Sequence, residues 1–231
     1  MQVLVTGANR GLGLEFTRQY LARGATVYAA CRQPGQALTL NHLAAEQPSK
    51  LKLLPLDVSR PASIQALRNE LALLTDRLDR LINNAGILVR GERYGQLDAD
   101  AMARSYQTNA IGPVLLAQAC TDLLAKGESA RIANISSGLG SISGVEGFNS
   151  PSYNASKAAL NMWTRLLAQA LNPRGVLCFA LRPGWVRTDM GGEGAPLDAS
   201  ESVAGMIGQF EQAGPEDQAS LLGHDGSRTP W

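Results

Sequence analysis

Cysteine is scarce. Three thiols occur in 231 residues, at Cys31, Cys120 and Cys178, far apart and each beside apolar neighbours. They match neither a disulfide framework nor a metal-ligand spacing. With only His42 and His224 as imidazoles, a zinc site is short of partners, so no metal is expected and the thiols read as buried, free and reduced. Excess charge is also lacking: 21 Lys and Arg against 20 Asp and Glu leave +1, and no stretch of five or six like charges occurs. That argues against a nucleic acid or an anionic membrane held by bulk electrostatics. No apolar run approaches the roughly 18 residues needed to span a bilayer. No basic and then apolar leader precedes the strand-like Val3-Leu4-Val5, so no signal peptide is expected and the expected location is the cytoplasm.

What is present describes an ordinary α/β domain: 45% hydrophobic and 18% charged residues, in a chain long enough to bury roughly 70–75% of its unfolded surface. Short apolar runs at Val3–Val5, Thr26–Ala30, Leu51–Leu56, Leu78–Ile82, Arg131–Ile135, Val176–Leu181 and, weakly, Ala219–Leu222 alternate with helical patterns. The helical stretches lie near 12–24, 61–77, 97–125, 152–171 and 199–212. The runs are too apolar for half-solvated strands, as in a parallel sheet covered on both faces. Alternation without repeats or a Pro/Ser-rich linker predicts one doubly wound Rossmann domain over 1–231, with a mostly parallel seven-stranded sheet and helices on both faces. Ser59 ahead of Pro61 and Ser150 ahead of Pro151 read as helix starts. The long glycine-rich connection, at about 189–200, is expected to be mobile and to fold over a substrate.

In such sheets, ligands bind beyond the carboxyl ends of the strands. The first run ends in Thr6-Gly7-Ala8-Asn9-Arg10-Gly11-Leu12-Gly13, where a helix opens. Gly7 suits the tight turn, and a Cβ at Gly11 or Gly13 obstructs the backbone's approach to a pyrophosphate or the helix packing. The spacing is Gly-x3-Gly-x-Gly, and no Gly-Lys-Ser/Thr of a P-loop follows. About twenty residues on, an NAD site offers Asp or Glu to the ribose 2′-hydroxyl; here Cys31 and Arg32 stand instead, with Arg10 on the glycine loop. Two guanidiniums and no carboxylate suit a 2′-phosphate, hence NADP(H). Asp57, with Val58 beside it, follows the third run, either as an acceptor for the adenine amino group or as a helix-capping Asp. Asn83-Asn84-Ala85-Gly86 follows the fourth, where small residues leave room for a flat ring and ribose.

The reacting centre reads from Tyr153 and Lys157, separated by three residues on a predicted helix and so on one face. A free tyrosine titrates near pH 10. A neighbouring ammonium is expected to lower that value, so that Tyr153 exchanges a proton with a carbonyl or alcohol oxygen and Lys157 also reaches the nicotinamide ribose. Ser136 and Ser137 end the fifth run, where a hydroxyl holds the substrate oxygen. Asn109 either binds a water linking Lys157 to solvent or marks an interruption between two helices. After the sixth run, Pro183-Gly184-Trp185-Val186-Arg187-Thr188 is expected along the nicotinamide.

Together these motifs resemble the short-chain dehydrogenase/reductase family over essentially the whole chain: Thr6–Gly13, Asn83–Gly86, Asn109, Ser137, Tyr153, Lys157 and Pro183–Thr188. The likeness within that family is to the C-factor and sniffer-like carbonyl reductases. It rests on Ile135-Ser136-Ser137 with Gly140-Ser141-Ile142, on Asp189-Met190-Gly191-Gly192, Ala195-Pro196-Leu197 and Ser202-Val203-Ala204-Gly205, and on Asp225-Gly226 with Pro230-Trp231. The resemblance implies a catalytic tetrad of Asn109, Ser137, Tyr153 and Lys157. The interval from Ser137 to Tyr153 is longer than in most members, which leaves Ser136 as the rival to Ser137. It also implies hydride transfer between NADP(H) and a small carbonyl or alcohol, or alternatively a dinucleotide-binding signalling protein with little turnover. Trp185, Met190 and Leu197 offer apolar contacts, and Glu193 and Asp198 disfavour an anionic substrate, so a neutral aldehyde, ketone or diketone is expected. Apolar residues on the helices at 97–125 and 152–171 (Leu115, Leu116, Trp163, Leu167) correspond in similar proteins to a four-helix contact, implying a homodimer or homotetramer. Trp231 closes either the pocket or a subunit contact.

Overall fold

Along the first strand, Gln2–Thr6 (β1), Val3 and Val5 enter one hydrophobic cluster and Leu4 enters the other. This is the two-residue period of a strand covered on both faces. The computed structural model, which describes residues 1–231 apart from the side chain of Ala219, repeats that pattern in Thr26–Cys31 (β2), Leu51–Pro55 (β3), Arg80–Asn83 (β4), Arg131–Ile135 (β5), Leu177–Arg182 (β6) and Leu221–Gly223 (β7). The sheet order is β3-β2-β1-β4-β5-β6-β7-β8, parallel throughout except for the last pair. Phe16 and Tyr20 of Gly11–Ala22 (α1), Leu40 of Leu38–Glu46 (α2), and Val203, Met206, Ile207 and Phe210 of Ala199–Gln212 (α7) cover one face. Ile64, Leu67 and Leu71 of Pro61–Leu74 (α3), Leu116, Leu123 and Leu124 of Gly112–Leu124 (α5), and Ala168 and Leu171 of Pro151–Leu171 (α6) cover the other.

The sheet has eight strands, not the seven read from sequence. The extra one, Arg228–Thr229 (β8), is two residues long and pairs antiparallel with β7, too short to carry a period. β7 begins at Leu221 because Pro215–Ala219 is a 3₁₀ turn. α2 gave no sequence signal, since Leu40 is its only fully buried residue among those described. The helix expected over 97–125 comes in three joined pieces: Ala99–Tyr106 (α4), a π-helical turn at Gln107–Ile111, and α5. Asp98 caps α4 by accepting from the Asp100 amide at 2.8 Å.

Of the two serine helix starts, only Ser59 is corrected. Arg60 occupies the N-cap of α3, and the Ser59 hydroxyl donates instead to Asp57 Oδ1 at 2.6 Å. Ser150 does hold the N-cap of α6, but in a left-handed conformation (φ 47°) with no side-chain cap. Glu92, reaching over from the connection after β4, caps that helix by accepting from the Ser152 amide at 3.3 Å and from the Ser152 hydroxyl. A carboxylate there also faces the positive end of the helix.

All three cysteines are free and buried. Burial pushes the Cys120 and Cys178 thiols up to about 12, which leaves them unreactive. No helix among the described residues is long and apolar enough to cross a membrane.

Where β4 starts, Arg80 is nearly enclosed. It forms a two-point pair with Glu211 of α7 (Nε–Oε1 2.9 Å, Nη2–Oε2 2.6 Å) and donates to the Ser129 carbonyl at 2.9 Å. Removing one partner of such a pair strands a buried charge, whereas replacing both with apolar groups does not. Glu211→Ala is therefore expected to cost about 3 kcal/mol in urea denaturation, and the double variant Arg80→Met/Glu211→Leu to recover most of it.

Candidate active site

A cleft of about 860 Å³ opens along the carboxyl ends of β1 to β6, where the sequence reading placed the ligand. The glycine loop forms one wall. Gly7 has φ +64°, a conformation glycine adopts without strain, and a Cβ there meets Ala85 Cα at 3.0 Å. A Cβ on Gly13 meets the Gly7 carbonyl oxygen at 2.2 Å, so only glycine lets α1 start against the turn. Asn84 locks this contact by donating to Thr6 O at 2.9 Å and Gly7 O at 3.3 Å. The Thr6 hydroxyl receives the Asn84 and Ala85 amides, each at 3.0 Å. α1 begins with no side-chain cap and no acidic residue in its first turn, so its amides face the cleft as an anion site.

Gly7, Asn9, Arg10, Gly11 and Leu12 line this wall, Arg32, Asp57 and Val58 the far end, and Asn84, Ala85 and Gly86 the floor. Pro183 and Thr188 line the opposite wall, with Tyr153 and Lys157 at the inner end. Gly13, Asn109, Ser137, Gly184 and Val186 are not among the residues lining this cleft. Arg32 is exposed, and among the described residues it makes no ion pair. Arg10 instead reaches across the cleft to Asp189, Nη1 to Oδ2 at 2.5 Å, a partner that sequence reasoning did not assign. Asp57 Oδ1 accepts from the Ser59 amide at 3.0 Å as well as from the Ser59 hydroxyl, the turn that precedes α3. Lining residues missed from sequence include Gln33 and Gln36 after β2, and Arg104 and Thr108 on the α4 side. The last two lie four apart, one face of a helix, which was the only available signal.

A polar stripe on α6 builds the inner end: Tyr153, Lys157, Asn161 and Thr164 are all buried. Asn161 accepts from the Ser136 hydroxyl at 2.6 Å and donates to Gly140 O at 3.0 Å. Thr164 accepts from Asn134, which in turn accepts from Asn83, at 2.9 and 2.8 Å. These bonds fix α6 against β4 and β5. Ser136 borders the cleft, but its hydroxyl is committed to Asn161; the Ser137 hydroxyl accepts from the Leu139 amide at 3.1 Å and is the serine that pulls the Tyr153 phenol down. Lys157 Nζ donates to Ile135 O at 2.7 Å and sits 5.6 Å from the Tyr153 ring centroid. Asn109 lies in the π turn, wholly buried, holding Ile87 by both backbone groups (2.8 and 2.9 Å) and donating to Ser156 Oγ at 3.0 Å. A Cβ on Gly86 lies 3.3 Å from Asn109 Oδ1 and 3.7 Å from Lys157 Nζ, so the two side chains flank the same glycine.

The expected lowering of the Tyr153 pKa by Lys157 is not what the structure gives. Burial dominates and pushes the phenol above its usual value, with the Ser137 hydrogen bond pulling the other way. Burial equally pushes Lys157 down, to about 8: a buried ammonium is costly in its own right.

A doubly wound sheet, a glycine turn opening an uncapped helix, and a buried Tyr–Lys pair at the far end of one cleft together define a dinucleotide-dependent oxidoreductase frame. A family model described as short chain dehydrogenase matches residues 1–196, and the chain belongs to that family. Among its relatives, the C-signal of Myxococcus xanthus is 38% identical over 157 residues, covering 68% of this chain and 95% of that protein. Among solved structures, the NADPH-bound carbonyl reductase from chicken fatty liver is 40% identical with a TM-score of 0.93, covering 100% of this chain and 98% of the other. Carbonyl reductase Sniffer of D. melanogaster is 33% identical with a TM-score of 0.94, covering 100% and 99%.

Lys157 links stability to pH. Its pKa is lower folded, about 8, than unfolded, near 10.4, so its contribution is greatest above the unfolded value and is lost as pH falls through 8. Thermal unfolding from pH 7 to 10 is expected to show wild type gaining stability with rising pH relative to Lys157→Met, by up to about 3 kcal/mol across that window.

Proposed function

We propose that the protein is an NADP(H)-dependent carbonyl reductase acting on small neutral aldehydes, ketones or diketones. The observation that carries this reading is the Ser137–Tyr153–Lys157 cluster at the inner end of a dinucleotide-sized cleft. The residues present fit the cofactor: the free amides of α1 suit its pyrophosphate, and Arg32 beside Cys31, with no carboxylate at the end of β2, suits a 2′-phosphate. Asp57 and Val58 would hold the adenine, Asn84, Ala85 and Gly86 the ribose, and Pro183, Gly184, Val186 and Thr188 the nicotinamide, which would supply the hydride.

The chain's own groups manage the proton. A buried phenol with a raised pKa is protonated near neutrality, so Tyr153 acts as the acid in reduction and hands its proton to the carbonyl oxygen. The Ser137 hydroxyl holds that oxygen. Lys157, fixed by Ile135 O, keeps a positive charge beside the phenolate left behind. Asn109 supports Gly86 and Ile87 between them. The connection at 189–200, tied by Arg187 to Asp198 at 2.5 Å, acts as the mobile lid, with Met190 over the cleft. Glu193 disfavours an anionic substrate, whereas the Asp198 charge is taken up by Arg187.

Assembly as a homodimer or homotetramer is supported by Met162, Trp163 and Leu166, large apolar side chains exposed on α6. Leu116, named for that role from sequence, is instead wholly buried; it points to the sheet, a distinction helical spacing alone did not make. Three unpaired thiols fit a reducing cytoplasm.

Likeness to the C-signal supports a second reading, a dinucleotide-binding signalling protein with little turnover. NADPH oxidation with a panel of aldehydes, ketones and diketones separates the two. Turnover by wild type, reduced at least 100-fold in Tyr153→Phe and in Ser137→Ala more than in Ser136→Ala, supports the enzyme; tight NADPH binding without turnover supports the signalling protein. Reduction is expected to decline as pH rises past about 8, where Lys157 loses its proton. Cys31→Asp with Arg32→Ala is expected to shift kcat/KM from NADPH toward NADH by about 100-fold; equal constants for the two cofactors in wild type count against the 2′-phosphate site.

A further inference from the structure

The segment Leu221–Trp231 has no part in the mechanism above, yet it touches both loops that border the inner end of the cleft. Its first contact is with the loop after β6. The His224 amide donates to Arg182 O at 3.0 Å, Arg182 Nη2 donates to Ser227 Oγ at 2.5 Å, and a Cβ on Gly184 lies 2.9 Å from His224 Cε1. After β8 the chain crosses to the loop after β5. There the buried Ser141 hydroxyl donates to Pro230 O at 2.6 Å, and the Ile142 and Ser143 amides converge on Trp231 O at 2.9 and 3.3 Å.

The loop so held needs holding. It is two short 3₁₀ turns, Gly138–Gly140 and Ile142–Gly144, each one turn long and with little intrinsic stability. Ile142 and Val145 are exposed, so apolar burial does not fix them. The Asn161 bond to Gly140 O anchors the first turn; the second is anchored by Pro230 and Trp231. Ser137 begins this loop, as the N-cap of its first turn.

We propose that Pro230-Trp231 is a positioning strap, which holds the loop after β5 so that the Ser137 hydroxyl stays aligned with Tyr153. The claim rests on the reductase reading above. The strap acts through backbone oxygens: Trp231 Nε1 is buried without a hydrogen-bond partner among the described residues, so the indole N–H is not the working group and phenylalanine should serve in its place.

The test compares wild type, a chain shortened to end at Thr229, Trp231→Phe and Ser141→Ala. Each is assayed with NADPH and 4-nitrobenzaldehyde, by NADPH titration of protein fluorescence, and by amide exchange at Ile142 and Ser143. A misplaced catalytic group costs far more in turnover than in cofactor binding. The shortened chain is therefore expected to lose at least tenfold in kcat, to bind NADPH within twofold of wild type, and to exchange both amides rapidly. Ser141→Ala is expected to lose about threefold, and Trp231→Phe to match wild type. Unchanged kcat in a shortened chain whose amides exchange freely overturns the strap while leaving the reductase reading intact. Loss of kcat together with NADPH binding also overturns it, by showing general damage. A wild type that binds NADPH but reduces nothing removes the reductase reading, and the positioning claim with it, whatever the exchange rates.

Discussion

The cleft exists because the chain changes direction across its sheet between β1 and β4. Strands β1 to β3 step outward to one edge, and the chain then returns past β1 to place β4 on its other side. Loops leaving β1 and β4 therefore diverge, and a crevice opens where the winding reverses. Divergence alone leaves a gap without a shape. Asn84 and Thr6 supply it, binding the two loops through four short backbone-to-side-chain bonds. The glycine turn is held in the conformation that leaves the α1 amides open.

The other half of the cleft depends on burying polar groups and giving nearly every one a partner. Asn83, Asn134, Thr164, Asn161, Ser136 and Lys157 form chains of bonds between α6 and the strands beneath it. Satisfied networks of this kind make a site rigid, but they do not make it cheap. The Lys157 ammonium has one carbonyl partner and the phenol one hydroxyl, and burial drives both toward their uncharged forms. The proposed reduction draws on this imbalance: a phenol still protonated near neutrality and a cation ready to favour its conjugate base.

Rigidity is unevenly spread. Helices α1, α3, α5, α6 and α7 stand on two apolar clusters, whereas the connections after β4, β5 and β6 are held largely by polar bonds. Arg90 to the Met190 carbonyl ties two of these connections together, and Glu92 to Ser152, Arg10 to Asp189 and Ser141 to Pro230 tie them to α6, the glycine loop and the segment after β8. Three arise from residues more than 85 positions apart in the chain, and none from a helix or strand pattern. They set the outer shape of the cleft, and the apolar clusters set the inner shape.

The order of strands and helices was legible in the sequence because it follows from local periodicity, and so were the glycine turn and the Tyr153–Lys157 spacing, which follow from backbone geometry over fewer than ten residues. α2 and β8 were not legible: one is anchored by a single buried leucine and the other is two residues long, so neither has a period to read. Ser136 and Ser137 are adjacent, and only the packing of α6, which places Asn161 beside one and Tyr153 beside the other, tells their surroundings apart. Leu116 and Trp163 look alike as apolar helical residues until the sheet decides which of them is covered. What the sequence determined by itself was therefore whatever neighbouring residues impose on one another. Tertiary structure decided the raised Tyr153 pKa, the pairing of Arg10 with Asp189 and the docking of Trp231, because desolvation and contacts between distant segments have no signature in a short stretch of chain.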